Sequence, residues 1–155
     1  NMEFLSGLGV SHGNAFVKAS ISDVSLESQL LDKTDGDKEK SIEIQKFLNN
    51  QLIDLFRALE PIGAEFGFRT AMEVIRFISF HCMLSAHHDW IINDALDAQI
   101  VQKVMPKLHG SDRKLRPILE KLQVFCKEHR LILSYEKSNR MLDRLKDGFT
   151  SFAEA

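Results

Sequence analysis

The sequence predicts an all-α fold, a bundle of about five helices that follows an irregular N-terminal segment. Apolar residues recur at helical spacing in most stretches after residue 40. Proline and glycine separate these stretches, and no strand pattern is obvious. A chain of 155 residues with 44% hydrophobic and 27% charged side chains is typical of one folded globular domain. We therefore expect a helical bundle without a sheet of its own.

The first forty residues have the least regular pattern in the chain. We assign residues 1–40 to an irregular segment or linker, and residues 41–155 to the helical domain. Within the first segment, a short helix is expected near Ser25–Leu31. The following run, Asp32–Lys40, mixes charges of both signs and is typical of a flexible, solvated loop.

The first two predicted helices of the domain lie on either side of a short loop. Ser41 is suited to cap the first helix, and its apolar stripe ends before Pro61-Ile62-Gly63. The second helix is expected from about Arg69 to Leu84. Because it is apolar almost all round, we expect it to be the central helix of the domain.

Three more helices are predicted in the C-terminal half. The third follows Asp89 and ends near Pro106–Gly110. The fourth begins close to Lys114 or is kinked at Pro117, because the proline ring would clash with the carbonyl four residues earlier. The last helix is short. It is expected to begin at the cap Ser138 and to end at Asp147, with Gly148 as the residue that terminates it.

Charge is unevenly distributed along the chain. The formal net charge of −2 excludes a strongly basic nucleic-acid-binding protein. However, Val101–Lys146 contains 12 Lys and Arg against 5 Asp and Glu, so it carries +7 and the rest of the chain −9. Four cations of this stretch are candidates for contact with nucleic acid: Lys107, Arg113, Lys114 and Arg116. No aromatic residues interleave them, which favours a solvated surface or a subunit contact.

The cysteines and histidines give no sign of a disulfide or a metal centre. Cys82 and Cys126 lie within apolar helical patterns and form no C-x-x-C motif, so we expect buried, reduced thiols. His81, His87 and His88 are close to Cys82 in sequence but lack the spacing of a closed metal site. We therefore expect no metal.

No targeting or membrane-spanning segment is predicted. The longest apolar runs are shorter than the roughly 18 residues that a membrane helix needs, and there is no signal peptide. A cytoplasmic location is therefore expected.

Arg69 occupies an unusual position. It follows Phe66-Gly67-Phe68 in the first turn of the second predicted helix. That turn has unpaired N–H groups and a partial positive charge, which disfavour an arginine but favour an anion. A guanidinium beside a helix N-terminus is an arrangement used to recognise phosphate. The spacing is equally compatible with an ordinary surface arginine that closes a loop.

Three segments carry a family resemblance. They are FGFRTAMEVIRF at 66–77, DALDAQIVQKVMPKLHGSDRKLRPILEKLQVFC at 94–126 and SYEKSNRMLDRLKDGFTSFAEA at 134–155. In order and spacing, they resemble the C-terminal helical lid of McrB-like AAA+ NTPases, the motor subunits of modification-dependent restriction systems. The resemblance covers about Leu59–Ala155, and KVMPKLHG and GFTSFAEA are its most specific parts.

The resemblance implies a role for Arg69. In AAA+ proteins the lid packs over the nucleotide, and an arginine at the start of a lid helix, called sensor 2, reaches the γ-phosphate. By motif position, Arg69 resembles that arginine. It would be the catalytic and nucleotide-contacting residue of this chain, acting only together with the core of the parent protein.

The same resemblance implies the rest of a motor. A AAA+ core would precede this chain in the same polypeptide and bind ATP or GTP with Mg²⁺. Neighbouring subunits would complete a ring, a nuclease subunit is a possible further partner, and DNA would be reached through other domains. The chain contains no G-x-x-x-x-G-K-[ST] loop, so we expect it to bind no cofactor and hydrolyse no nucleotide alone.

An alternative from another functional class stays open. The chain is then a stand-alone helical module that binds another protein or nucleic acid and has no role in NTP hydrolysis. Its basic region between Lys107 and Arg116 would be the contact surface.

Overall fold

The computed structural model describes residues 25–64, 67–85, 90–153 and 155. Residues 1–24 of the predicted irregular segment therefore lie outside the described part of the chain. The described residues form six α-helices and one short two-stranded sheet, which confirms the predicted all-α class. Five of the helices correspond to the predicted bundle, and the sixth is the short helix expected near Ser25–Leu31.

The chain divides into two compact units. The first consists of Asn1–Asp54 and Phe66–Ile92, and the second of Leu55–Glu65 and Asn93–Ala155. The helices are α1 (Leu26–Lys33), α2 (Lys38–Leu59), α3 (Phe68–Leu84), α4 (Ile92–Gln99), α5 (Asp112–Glu128) and α6 (Ile132–Arg144). The strands are β1 (His109–Ser111) and β2 (Phe149–Ser151). Shorter 3₁₀ turns occupy Glu60–Ile62, Met105–Lys107 and Leu145–Asp147.

In the first unit, helix α2 begins three residues before the predicted cap Ser41. Asp37 is the residue that caps it, because its Oδ1 accepts a hydrogen bond from the backbone N–H of Lys40 at 3.1 Å. Ser41 instead lies inside the helix and is buried. The predicted loop Asp32–Lys40 is therefore shortened to a tight turn, in which Gly36 N–H donates to the carbonyl of Leu31 at 2.8 Å.

Helices α1 and α3 share the apolar interior of the first unit. Leu30 of α1 and Ile78 and Cys82 of α3 are fully buried. At the C-terminal end of α3, the Lys33 ammonium donates to the carbonyl of Ser85 at 2.6 Å. A cation is well placed there, since the last carbonyls of a helix carry partial negative charge.

The third predicted helix is regular only in its first part. Helix α4 ends at Gln99, and the chain continues as a π-helical turn, Ile100–Val104, and then as a 3₁₀ turn that contains Pro106. Proline has no N–H to donate, and its ring clashes with the carbonyl four residues earlier, here Gln102. The change of helical pitch before Pro106 follows from that clash.

A two-stranded antiparallel sheet in the second unit was not predicted. It pairs His109 with Ser151 and Ser111 with Phe149. Each strand has three residues, too few for an alternating pattern to appear in the sequence. Gly148, the glycine predicted to end the last helix, precedes β2 with a φ of +91°, the left-handed conformation typical of a residue that ends a helix.

Helix α5 begins at Asp112, two residues before the predicted start, and contains Pro117 in its second turn. The Asp112 N–H donates to the carbonyl of Gly148 at 3.1 Å, so the sheet that joins the two segments fixes where the helix starts. The apolar face of α5, including Leu115, Leu119 and Cys126, is fully buried.

Helix α6 begins at Ile132, six residues before the predicted cap Ser138. Asp97 of α4 supplies the missing cap. Its Oδ2 accepts from the N–H of Leu133 at 2.8 Å, and its Oδ1 accepts from the N–H of Ser134 at 2.8 Å and from the Ser134 hydroxyl at 2.5 Å. Ser138 lies inside the helix, where its hydroxyl donates to the carbonyl of Tyr135.

The capping role of Asp97 gives a stability prediction. Asp97→Ala removes the acceptor of the backbone N–H groups of Leu133 and Ser134, of which Ser134 is fully buried, so we expect it to lower the free energy of unfolding by about 2–4 kcal/mol. Urea unfolding followed by far-UV circular dichroism measures this change.

Asp94 provides the matched control, since it lies one turn earlier on the same helix and is exposed. Asp94→Ala should change the free energy of unfolding by no more than about 0.5 kcal/mol. Equal destabilisation by the two substitutions would show that the cap is not the cause.

Candidate functional site

Arg69 is the second residue of helix α3, which begins at Phe68 rather than at Arg69. Gly67 is the N-cap, and no side chain caps this end of the helix. The first intrahelical bond joins the N–H of Ala71 to the carbonyl of Gly67 at 3.2 Å. The first turn therefore presents backbone N–H groups that no cap side chain satisfies, the feature that makes a helix N-terminus suitable for an anion.

The Arg69 side chain is 88% exposed and pairs with Glu73. Its Nε lies 3.2 Å from Glu73 Oε1, one helical turn further on. Exposed pairs of this kind contribute only about 0–1 kcal/mol. The guanidinium is therefore held over the helix surface by an interaction that a stronger anion can replace at little cost.

The four candidate nucleic-acid contacts lie in the second unit, at the 3₁₀ turn before β1 and the start of α5. Arg113 and Lys114 are exposed. Arg116 is already paired, because its Nη2 lies 2.5 Å from Asp112 Oδ1. The hydrogen bond to Asp112 raises the pKa of Arg116 above its usual value. One of the four charges is thus largely compensated, and nucleic-acid binding by this set stays a prediction.

The buried thiols are unsuited to nucleophilic chemistry. Burial raises the pKa of Cys82 to about 11, and the Lys33 charge opposes part of that rise. Burial, with a smaller contribution from the Asp97 charge, raises the pKa of Cys126 to about 12. Because the thiolate is the reactive form, both side chains are held in their inert form.

The potential metal ligands are not clustered in the described residues. The His81 Nδ1 accepts a hydrogen bond from Trp90 Nε1 at 2.9 Å, so that nitrogen is engaged within the protein. No group of three or more His, Cys, Asp or Glu side chains suited to a metal ion occurs among the described residues. His87 and His88 lie outside them.

A family model matches residues 20–151, which is most of the chain. It is described as Domain of unknown function (DUF8727). The chain belongs to this family. The match includes all six helices and the sheet, so the described fold is that of a DUF8727 domain. Neither the curated proteins nor the solved structures contain a match to the chain.

Membrane-spanning helices are absent from the described residues of this DUF8727 domain. None of their helices combines the length and the apolar character that crossing a bilayer requires.

Sequence reasoning missed the role of Asp97. Asp94 and Asp97 stand one turn apart on a short helix, a pattern typical of a solvated face. The structure exposes Asp94 but buries Asp97, which is only 6% exposed. The partners of Asp97 lie more than thirty residues away in the chain, so no local pattern indicates them.

The raised pKa values give a prediction for the thiols. At about pH 8, a pKa of about 11 lowers the thiolate fraction of Cys82 about 100-fold relative to the ordinary value of 9.0, and Cys126 falls about 1,000-fold. Native protein should therefore react slowly with Ellman's reagent, and urea-unfolded protein should react quickly at both thiols.

The same shifts predict how stability depends on pH. A thiol whose folded-state pKa is raised stabilises the fold fully below about pH 9, and this contribution is lost as the pH rises through the folded pKa. In the experiment with Ellman's reagent, equal reaction rates of native and unfolded protein would contradict the assignment of buried, inert thiols.

Proposed function

We propose that this chain is the C-terminal lid of an AAA+ motor that hydrolyses ATP or GTP in a cytoplasmic restriction system. The proposal combines the sequence resemblance with one structural observation, the exposed Arg69 in the uncapped first turn of α3. In this role, Arg69 contacts the terminal phosphate of a nucleotide that the upstream core holds with Mg²⁺. Neighbouring ring subunits, and in some assemblies a nuclease subunit, contact the same protein.

The chemistry of phosphoryl transfer accounts for an arginine at this place. Negative charge is spread over the terminal phosphate oxygens as the bond to the leaving group breaks. A planar guanidinium on a rigid helix stabilises that charge with two hydrogen bonds and needs little reorganisation. The backbone N–H groups of the first turn of α3 add a favourable field for the same anion.

Glu73 forms an ion pair with Arg69. The carboxylate of Glu73 lies 3.2 Å from the Arg69 Nε on the exposed surface of α3. A phosphate carries more negative charge than a carboxylate and accepts two parallel bonds from arginine. Arg69 therefore exchanges Glu73 for the phosphate when the lid closes over nucleotide.

The stand-alone alternative has weaker support. Its contact surface would be the basic region from Lys107 to Arg116, in which Arg116 pairs with Asp112 and no aromatic residue interleaves the cations. We therefore adopt the role of an AAA+ lid as the proposed function.

The test uses the complete parent protein. Arg69→Ala should lower kcat for NTP hydrolysis by about 100-fold or more, since losing one group that stabilises transition-state charge commonly costs that much. Arg69→Lys should restore only part of the rate, because an ammonium lacks the planar fork of a guanidinium.

Arg76→Ala is the matched control. Arg76 is an exposed arginine two turns later on α3, and its guanidinium carbon lies 5.7 Å from the centre of the Phe80 ring. This substitution should leave kcat within about twofold, because the group is remote from the helix N-terminus. Unchanged turnover in Arg69→Ala would remove Arg69 from the mechanism.

A further inference from the structure

A hydrogen bond joins the indole of Trp90 to helix α3. The Trp90 Nε1–H donates to His81 Nδ1 at 2.9 Å, across nine residues of sequence. Both side chains are half-buried. Trp90 is the one tryptophan of the chain, and it lies two residues before α4 begins at Ile92. This bond, the His81–Trp90 contact, therefore ties the chain ahead of α4 to the last turn of α3.

The His81–Trp90 contact requires a neutral imidazole. A neutral imidazole has one N–H donor and one acceptor nitrogen, and here Nδ1 is the acceptor, which places the proton on Nε2. In the imidazolium, both nitrogens carry a proton. The Nδ1–H then faces the indole N–H, so two donors meet without an acceptor between them. Protonation of His81 therefore removes this hydrogen bond.

Helix α3 itself favours the charged form of His81. The residue lies in the last turn of the helix, where the helix dipole favours a cation. Its ring centre lies 5.9 Å from that of Phe77, a distance at which an aromatic ring also attracts a cation. The titratable neighbour on this helix is Cys82, whose pKa burial raises to about 11, so it adds no charge near neutral pH.

Helix α1 brings charges of both signs to the same end of α3. The Lys33 ammonium donates to the carbonyl of Ser85 at 2.6 Å, and the Ser85 hydroxyl donates to the carbonyl of His81 at 2.6 Å. Asp32 precedes Lys33, and these two charges act in opposite directions on the adjacent Cys82 thiol. Lys33 thus disfavours an imidazolium at this helix end, and Asp32 favours it.

The use of histidine as the acceptor makes the contact sensitive to pH. Histidine is the side chain whose ordinary change of charge falls between about pH 5 and 8. An amide oxygen at the same place would accept the indole bond at every pH in that range, because it does not titrate. The acceptor of Trp90 is therefore of the kind that acid can remove.

We propose that the His81–Trp90 contact is a pH-sensitive switch in the first unit. At neutral pH and above, His81 is neutral and holds the indole against α3. In mildly acidic solution, His81 gains a proton and releases the indole, while the helices stay folded. This proposal does not depend on Arg69 or on a nucleotide.

The experiment follows the indole N–H of the whole ¹⁵N-labelled chain by NMR. Since the chain has one tryptophan, its indole gives one peak in a ¹H–¹⁵N correlation spectrum. A hydrogen-bonded proton resonates downfield of a free one. We therefore expect the peak to shift upfield along a one-proton titration curve as the pH falls from about 8 to about 5. Far-UV circular dichroism of the same samples should show unchanged helix content.

Two substitutions separate the acceptor from the charge. His81→Asn supplies an amide oxygen that accepts the bond but does not titrate, so the indole peak should stay at its downfield position throughout. His81→Phe keeps a ring but has no acceptor, so the peak should stay at its upfield position throughout. A long-range ¹H–¹⁵N spectrum of the imidazoles needs no substitution. It should show His81 Nδ1 gaining its proton with the same midpoint as the indole shift.

His87→Asn with His88→Asn is the matched control. It removes the two histidines nearest to Trp90 in sequence and leaves His81 in place. The titration of the indole peak should persist in this double variant.

Four outcomes would overturn the proposal. The first is a wild-type indole peak that does not move with pH. The second is a titration that persists in His81→Asn, and the third is a titration that disappears in the double control variant. The fourth is a loss of helix content with the same midpoint as the indole shift, because acid unfolding would then explain the release of Trp90.

Discussion

The buried carboxylate of Asp97 is the contact that determines where helix α6 begins, and much of the second unit depends on it. It accepts three hydrogen bonds from Leu133 and Ser134, all of 2.8 Å or less. A carboxylate at a helix N-terminus satisfies orphan N–H groups and interacts favourably with the helix dipole, which offsets the cost of burying its charge. The starting point of α6 then decides which of its residues face the core and which face solvent.

Two surfaces follow from that register. Met141 and Leu145 point into the core of the second unit and are buried. On a neighbouring side of α6, Arg140 and Arg144 are exposed, and the chain continues through Gly148 into β2. The carbonyl of Gly148 in turn accepts from the N–H of Asp112 and helps to fix the start of α5. The cap, the sheet and the two long helices of this unit are therefore linked through short-range backbone contacts.

The sequence was sufficient for what depends on local periodicity. It predicted the helical class and the six helices of the described residues. For the five helices after residue 37, a 3.6-residue apolar stripe is visible without knowledge of the fold. Sequence reasoning misplaced the starts of α2 and α6, for two different reasons. Asp37 was a local cap that the charged run around it concealed, whereas Asp97 reaches α6 across more than thirty residues. The three-residue strands were too short to predict, and the π-helical turn before Pro106 was not anticipated from the proline alone.

The candidate site could be predicted only in part. Its position at the start of α3 follows from the sequence, since Gly67 and the apolar run after Arg69 indicate a helix N-terminus. The pairing with Glu73 and the 88% exposure of Arg69 are structural facts, and they turn a motif resemblance into a chemical argument. A weakly held, exposed guanidinium is ready to accept an anion.

The most direct measurement of this claim is a structure of the complete parent protein with a non-hydrolysable NTP. The account predicts that the Arg69 guanidinium has left Glu73 and lies within hydrogen-bond distance of the terminal phosphate. An Arg69 that still pairs with Glu73 while other groups hold that phosphate would contradict it.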